Sequence, residues 1–124
     1  MQRSYRFLVM EREIIIAMDI ERILRDTFDC VVEIARPDAM PSEGRECAFD
    51  VAIVDADALD EDGFCQSGDV SGLAKSIVLT TAWSDRERKA RASFDGPVIR
   101  KPFSNGELAD AVRGAIARAT GRAG

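Results

Sequence analysis

Four places in the sequence put a chemically capable side chain directly behind an apolar run. Residues 6–10 (RFLVM) lead into Glu11, Arg12 and Glu13, and residues 50–54 (DVAIV) into Asp55, Ala56 and Asp57. Residues 76–80 (SIVLT) lead into Thr81 and Ala82, and residues 97–99 (PVI) into Arg100, Lys101, Pro102 and Phe103. A carboxylate such as Asp55 can attack phosphorus and become an acyl phosphate. Lysine supplies a fixed point charge, a threonine hydroxyl donates to an oxyanion, and clustered carboxylates suit a hard cation such as Mg²⁺. Each residue alone has a plainer reading. An Asp behind a strand is ordinarily a turn or cap residue, Thr at a strand end follows from β-propensity, and Lys-Pro punctuates a helix entry. Glu11-Arg12-Glu13 alone reads as a solvated loop. What joins them is that each follows a different apolar run.

Those runs must be the strands that carry the site. They are short, β-branched and nearly continuous, as in a sheet covered on both faces, and residues 30–34 (CVVEI) add a further one. Helical spacing falls between them. In residues 13–28 the side chains Ile16, Ile20, Ile23, Leu24 and Phe28 recur at three- and four-residue steps. Ser104 and Glu107 form a capping box, with Phe103 and Leu108 placed for a hydrophobic staple. Leu108, Ala111, Val112, Ala115, Ile116 and Ala119 continue as one stripe. Ser84 and Glu87 offer a second capping box before the charged segment 85–93. Residues 36–49 contain Pro37, Pro41 and Gly44, and residues 60–75 contain Gly63, Gly68 and Gly72, so both crossovers are shortened and the second holds a turn or two of helix. Strands alternating with helices predict an α/β fold, a doubly wound five-stranded parallel sheet with its site outside the carboxyl ends of the strands.

Composition narrows the function. A chain of 124 residues supports one compact domain, with 46% hydrophobic and 31% charged residues as in an ordinary globular protein. A net charge of −5 opposes capture of nucleic acid or anionic membrane. The basic segment 86–91 is interrupted by Glu87 and reads as a solvated helix face. No histidine is present, which removes histidine bases, Ser-His-Asp triads and His-ligated zinc. Cys30, Cys47 and Cys65 are odd in number and widely spaced, as free thiols of a reducing cytoplasm would be. No apolar stretch suggests a secretion signal or a membrane span.

Over nearly its whole length the sequence resembles a response-regulator receiver domain, of flavodoxin-like (CheY-like) topology. The acidic turn at Glu11, Asp55 behind DVAIV, Thr81-Ala82, and Lys101-Pro102-Phe103 before an amphipathic last helix carry the likeness. The stretch 94–103 is also similar to small stand-alone receivers of proteobacteria. The resemblance implies a receiver domain over 1–120, a flexible tail at 121–124, no appended output domain, and a cytoplasmic two-component signalling role. Asp55 would accept a phosphoryl group from a sensor histidine kinase or a histidine phosphotransfer protein, and signalling would run through an unknown protein target. Thr81 and Lys101 would contact the phosphoryl group, and a cis Lys101-Pro102 bond would aim the lysine. Mg²⁺ would be held by Glu11, Asp55 and the backbone carbonyl of Asp57.

Two residues depart from the pattern. Arg12 stands where the second metal-binding carboxylate is expected, which brings the sum of Glu11, Asp55, Arg12 and Lys101 to zero instead of about −2 and weakens the pull on Mg²⁺. Either Arg12 swings away and leaves a weak Mg²⁺ site, or its guanidinium pairs with Asp55 in the cation's place. Val98 replaces the aromatic switch residue of the last strand. These departures admit an alternative, a docking pseudo-receiver that takes no phosphoryl group. A remoter one is a phosphatase of Asp-x-Asp type, suggested by Asp55-Ala56-Asp57. There the motif belongs on the first strand with a long domain after it, and here it follows the third run.

Overall fold

A computed structural model describes residues 4–36, 49–59, 64–65, 68–69 and 72–122. In chain order these form β1 (Tyr5–Met10), α1 (Ile14–Thr27), β2 (Cys30–Ala35), β3 (Phe49–Asp55), a single 3-10 turn (Ala56–Ala58), β4 (Phe64–Cys65), β5 (Gly68–Asp69), β6 (Ala74–Thr81), α2 (Ser84–Ser93), β7 (Val98–Arg100) and α3 (Asn105–Arg122). Five strands make one sheet in the order β2-β1-β3-β6-β7, every neighbouring pair parallel. Counted within that sheet alone, the order is 2-1-3-4-5, the flavodoxin-like doubly wound arrangement. All five expected strands are present.

Alternation along the strands divides the core between the two faces of the sheet. Phe7, Val9, Val51, Ile53 and Val78 pack with Ile20, Ile23 and Leu24 of α1 and Leu108, Val112 and Ala115 of α3. Leu8, Met10, Ala52, Val54, Leu79 and Val98 occupy the other face, where α2 contributes only the partly buried Ala90, with Phe94 behind it. The periodic stripes read from the sequence pack on the first of these faces, except that Ala119 lies beyond that cluster. No residue of α2 is fully buried, which follows from a segment holding six charged residues in ten.

The capping box of the last helix is formed. Ser104 N–H donates to Glu107 Oε1 at 3.0 Å, and Glu107 N–H donates to Ser104 Oγ at 3.1 Å. Phe103 and Leu108 join the same core cluster. The second expected box is not formed: Ser84 is already the first helical residue, Trp83 holds the cap position, and no side chain caps it. Between residues 60 and 75 a turn or two of helix was expected. The described residues there form instead a short antiparallel pair, β4 with β5, in a stretch whose glycines disfavour helix. The earlier weak crossover, residues 37–48 with Pro37, Pro41, Gly44 and Cys47, lies outside the described residues. Among the described residues no helix is long and apolar enough to cross a membrane.

Candidate phosphoacceptor pocket

The parallel sheet brings the ends of β1, β3, β6 and β7 to one edge. β1 and β3 are adjacent, and the chain winds outward from them in opposite directions, so a crevice opens beyond Met10 and Asp55. Asp55 ends β3 and is 1% exposed, and Glu11, one residue past β1, is 3% exposed. Two carboxylates so buried require partners. Lys101, one residue past β7, supplies them both: its Nζ lies 2.7 Å from Glu11 Oε1 and 3.2 Å from Asp55 Oδ1. The Lys101-Pro102 bond is cis.

Arg12 completes the closure. Its Nε donates to Asp55 Oδ2 at 2.9 Å, so the half-exposed guanidinium pairs with the buried carboxylate from the solvent side. Asp55 Oδ1 also accepts the Asp57 N–H at 3.1 Å, which caps the 3-10 turn. The remaining Glu11 oxygen, Oε2, accepts the Glu13 N–H at 3.0 Å at the entry to α1. Both Asp55 oxygens and Glu11 Oε2 therefore accept hydrogen bonds, while buried Glu11 Oε1 is met by the Lys101 charge without a well-directed hydrogen bond.

Charge follows this geometry. Burial pushes the Asp55 carboxyl up, but the hydrogen bond from Arg12 and the charges of Lys101 and Arg12 outweigh it and hold it below the usual carboxylate value. Burial pulls the Lys101 ammonium down, yet its bond to Glu11 and the Asp55 charge leave it above the ordinary lysine value. The Arg12 guanidinium is raised chiefly by its hydrogen bond to Asp55. Asp55 is thus an ionised carboxylate held between two cations.

Thr81 ends β6 and is fully buried, but its hydroxyl donates to Asp57 Oδ1 at 2.6 Å. Asp57 Oδ2 accepts the Ala82 N–H at 2.9 Å, and Arg86 Nε of α2 stands 3.8 Å from Asp57 Oδ1. From the sequence, Asp57 enters as a backbone carbonyl for Mg²⁺ or as the second carboxylate of an Asp-x-Asp motif, and Arg86 lies on a solvated face; neither anticipates their pairing. What brings Asp57 to Thr81 is the register that pairs Asp55 with Thr80, which sets the carboxylate beside the hydroxyl and has no local signal in the sequence. Val98 is buried on the α2 face of the sheet, and Arg91 of α2 donates to its carbonyl at 2.8 Å.

The residues do not fit a resident Mg²⁺ as arranged. No group of three or more acidic or thiol side chains converges among the described residues, and the candidate ligands Glu11 and Asp55 are already paired with Lys101 and Arg12.

No protein-family model matches the sequence, and no curated protein matches it. Solved structures do. A response regulator receiver domain protein from Clostridium thermocellum superposes with a TM-score of 0.68 at 21% identity, over 94% of this chain and 97% of that one. The response regulatory domain of protein mrkE from Klebsiella pneumoniae gives 0.63 at 12% identity, over 94% and 98%. A CheY-like response regulator protein from Mesorhizobium loti gives 0.63 at 15% identity, over 90% and 98%.

The chain has the receiver fold. In doubly wound sheets ligands bind in the crevice at the strand ends, and here that crevice holds Glu11, Arg12, Asp55, Asp57, Thr81 and Lys101. Three anions, Glu11, Asp55 and Asp57, face three cations, Arg12, Lys101 and Arg86, at this edge of the sheet.

Proposed function

We propose that this chain is a cytoplasmic signalling module of receiver architecture that works by protein contact, with Asp55 kept out of phosphoryl chemistry by Arg12. The observation that carries this reading is the 2.9 Å bond from Arg12 Nε to Asp55 Oδ2. Phosphoryl transfer to a carboxylate depends on an accessible oxygen and on positive charge around the transferring group. Here the positive charge sits on the nucleophile itself. Contact surface is available beside the pocket: Ile14, Ile15 and Met18 of α1 are 60%, 80% and 59% exposed, more apolar area on one helix than a non-interacting face needs. Such a module turns over no substrate.

A second reading is favoured by one observation. The Arg12 side chain is 53% exposed, so it can leave Asp55 without disturbing the core. Glu11, Asp55 and the Asp57 carbonyl would then receive Mg²⁺, and Asp55 would take a phosphoryl group from a sensor histidine kinase or a histidine phosphotransfer protein, with Thr81 and Lys101 as its contacts.

The two are separated by incubation with acetyl phosphate or phosphoramidate, with and without Mg²⁺, followed by intact mass. The first reading expects no phosphoryl gain for the native chain and a gain for Arg12→Asp. A gain by the native chain that disappears in Asp55→Asn overturns it and establishes the second.

A further inference from the structure

The Asp57 carboxylate has a partner set that the pocket's charge balance does not require. Its side chain is only 4% exposed, and both oxygens point toward the segment after β6. Oδ1 accepts the Thr81 hydroxyl at 2.6 Å and Oδ2 accepts the Ala82 N–H at 2.9 Å, a hydroxyl and an amide converging on one anion. That is how a protein binds an oxyanion. The contacts extend further. Thr81 Oγ1 accepts the Trp83 N–H at 3.2 Å, the Thr81 carbonyl accepts the Lys101 N–H at 2.8 Å, and Arg86 joins from α2. Asp57 itself is fixed, because its N–H is held by Asp55 Oδ1.

We propose that Asp57 is a built-in anionic ligand that holds residues 81–83 and the first turn of α2 in one arrangement, whatever the state of Asp55. A group added to Asp55 would have to compete with a carboxylate already bonded to Thr81 and Ala82. The loop that leads into α2 is thereby closed from within, and the surface formed by α2 stays constant. This goes beyond the closed-pocket reading above, since it holds whether or not Arg12 releases Asp55.

The test is amide hydrogen exchange resolved at Ala82 and Trp83 in the intact chain, compared with Asp57→Asn and Asp57→Ala. Losing the charge-assisted bond to Asp57 accelerates exchange at the exposed Ala82 amide by about tenfold, and Trp83 follows because its acceptor, the Thr81 hydroxyl, is no longer held. Ala82 and Trp83 are expected to accelerate so in Asp57→Ala, and less in Asp57→Asn, which keeps one acceptor, while the β3 amides stay protected. Should Asp57→Ala not fold, the Asn variant and the native rates decide. Native Ala82 exchanging as fast as an unstructured peptide overturns the proposal, as does equal protection in the native chain and a folded variant. Phosphorylation of the native chain would overturn the closed-pocket reading and leave Ala82 protection, and so this proposal, standing.

Discussion

Arg12 and Asp55 form an unequal pair: the guanidinium side chain is about half exposed, while the carboxylate it holds at 2.9 Å has no exposed side-chain surface. The arginine thus keeps much of its hydration, and Asp55 gains a countercharge that the sequence of an acidic crevice would have left to a metal. Replacing Arg12 with Asp turns the sum over position 12, Glu11, Asp55 and Lys101 from zero to −2. Mg²⁺ affinity is expected to rise by about tenfold or more. Calorimetric titration, or the emission of Trp83, the only tryptophan, reads it directly. An affinity unchanged by the substitution would mean that Arg12 is not what keeps the metal out.

Lys101 serves two buried carboxylates at once. Lys101→Met leaves Glu11 without its cation and Asp55 with only Arg12, and should lower stability by about 2–4 kcal/mol in urea unfolding. Adding Glu11→Gln to that variant removes the stranded charge, so part of the loss should return. Simple additivity of the two substitutions would speak against a shared ion-pair network.

Acid should loosen the fold through Asp55. Burial raises its carboxyl and the Arg12 and Lys101 contacts more than offset this, so its folded value lies below the unfolded one of about 3.9. The resulting stability is fully present above the unfolded value and is lost as pH falls through the folded one. In Arg12→Ala the depression shrinks, so unfolding free energy should fall less as the pH drops below the unfolded carboxylate value than in the native chain. Denaturation curves at a series of acid pH values give the comparison.

The two serines that precede helices should behave differently. Ser104→Ala removes one half of a reciprocal cap and should cost about 1 kcal/mol. Ser84→Ala removes no cap bond and should stay within about 0.5 kcal/mol of the native chain, both read from thermal or urea unfolding.

The sheet was legible because short, β-branched runs such as RFLVM and DVAIV alternate with longer helical stripes, and α1 and α3 because those stripes repeat at helical spacing. The positions of Glu11, Asp55 and Lys101 followed from that, each lying at a strand end. The mutual orientation of side chains did not follow. Arg12 had two destinations, swung outward or paired with Asp55, and pattern alone does not choose between them. Asp57 was hidden for a related reason: its partners Thr81 and Ala82 are 24 and 25 residues away, and only the register of β3 with β6 joins them. The crossover after β3 misled because three glycines lower helix propensity without saying what replaces the helix.

Helix α2 lies on the sheet without sinking a single side chain fully into it, whereas α1 and α3 each place several in the core. Among the described residues, one face of the sheet is therefore locked by deeply packed helices, and the other carries a helix held at its surface. What fixes α2 is polar: the Arg86 ion pair with Asp57 and the Arg91 bond to the Val98 carbonyl. Its first turn is answerable to the crevice through one carboxylate.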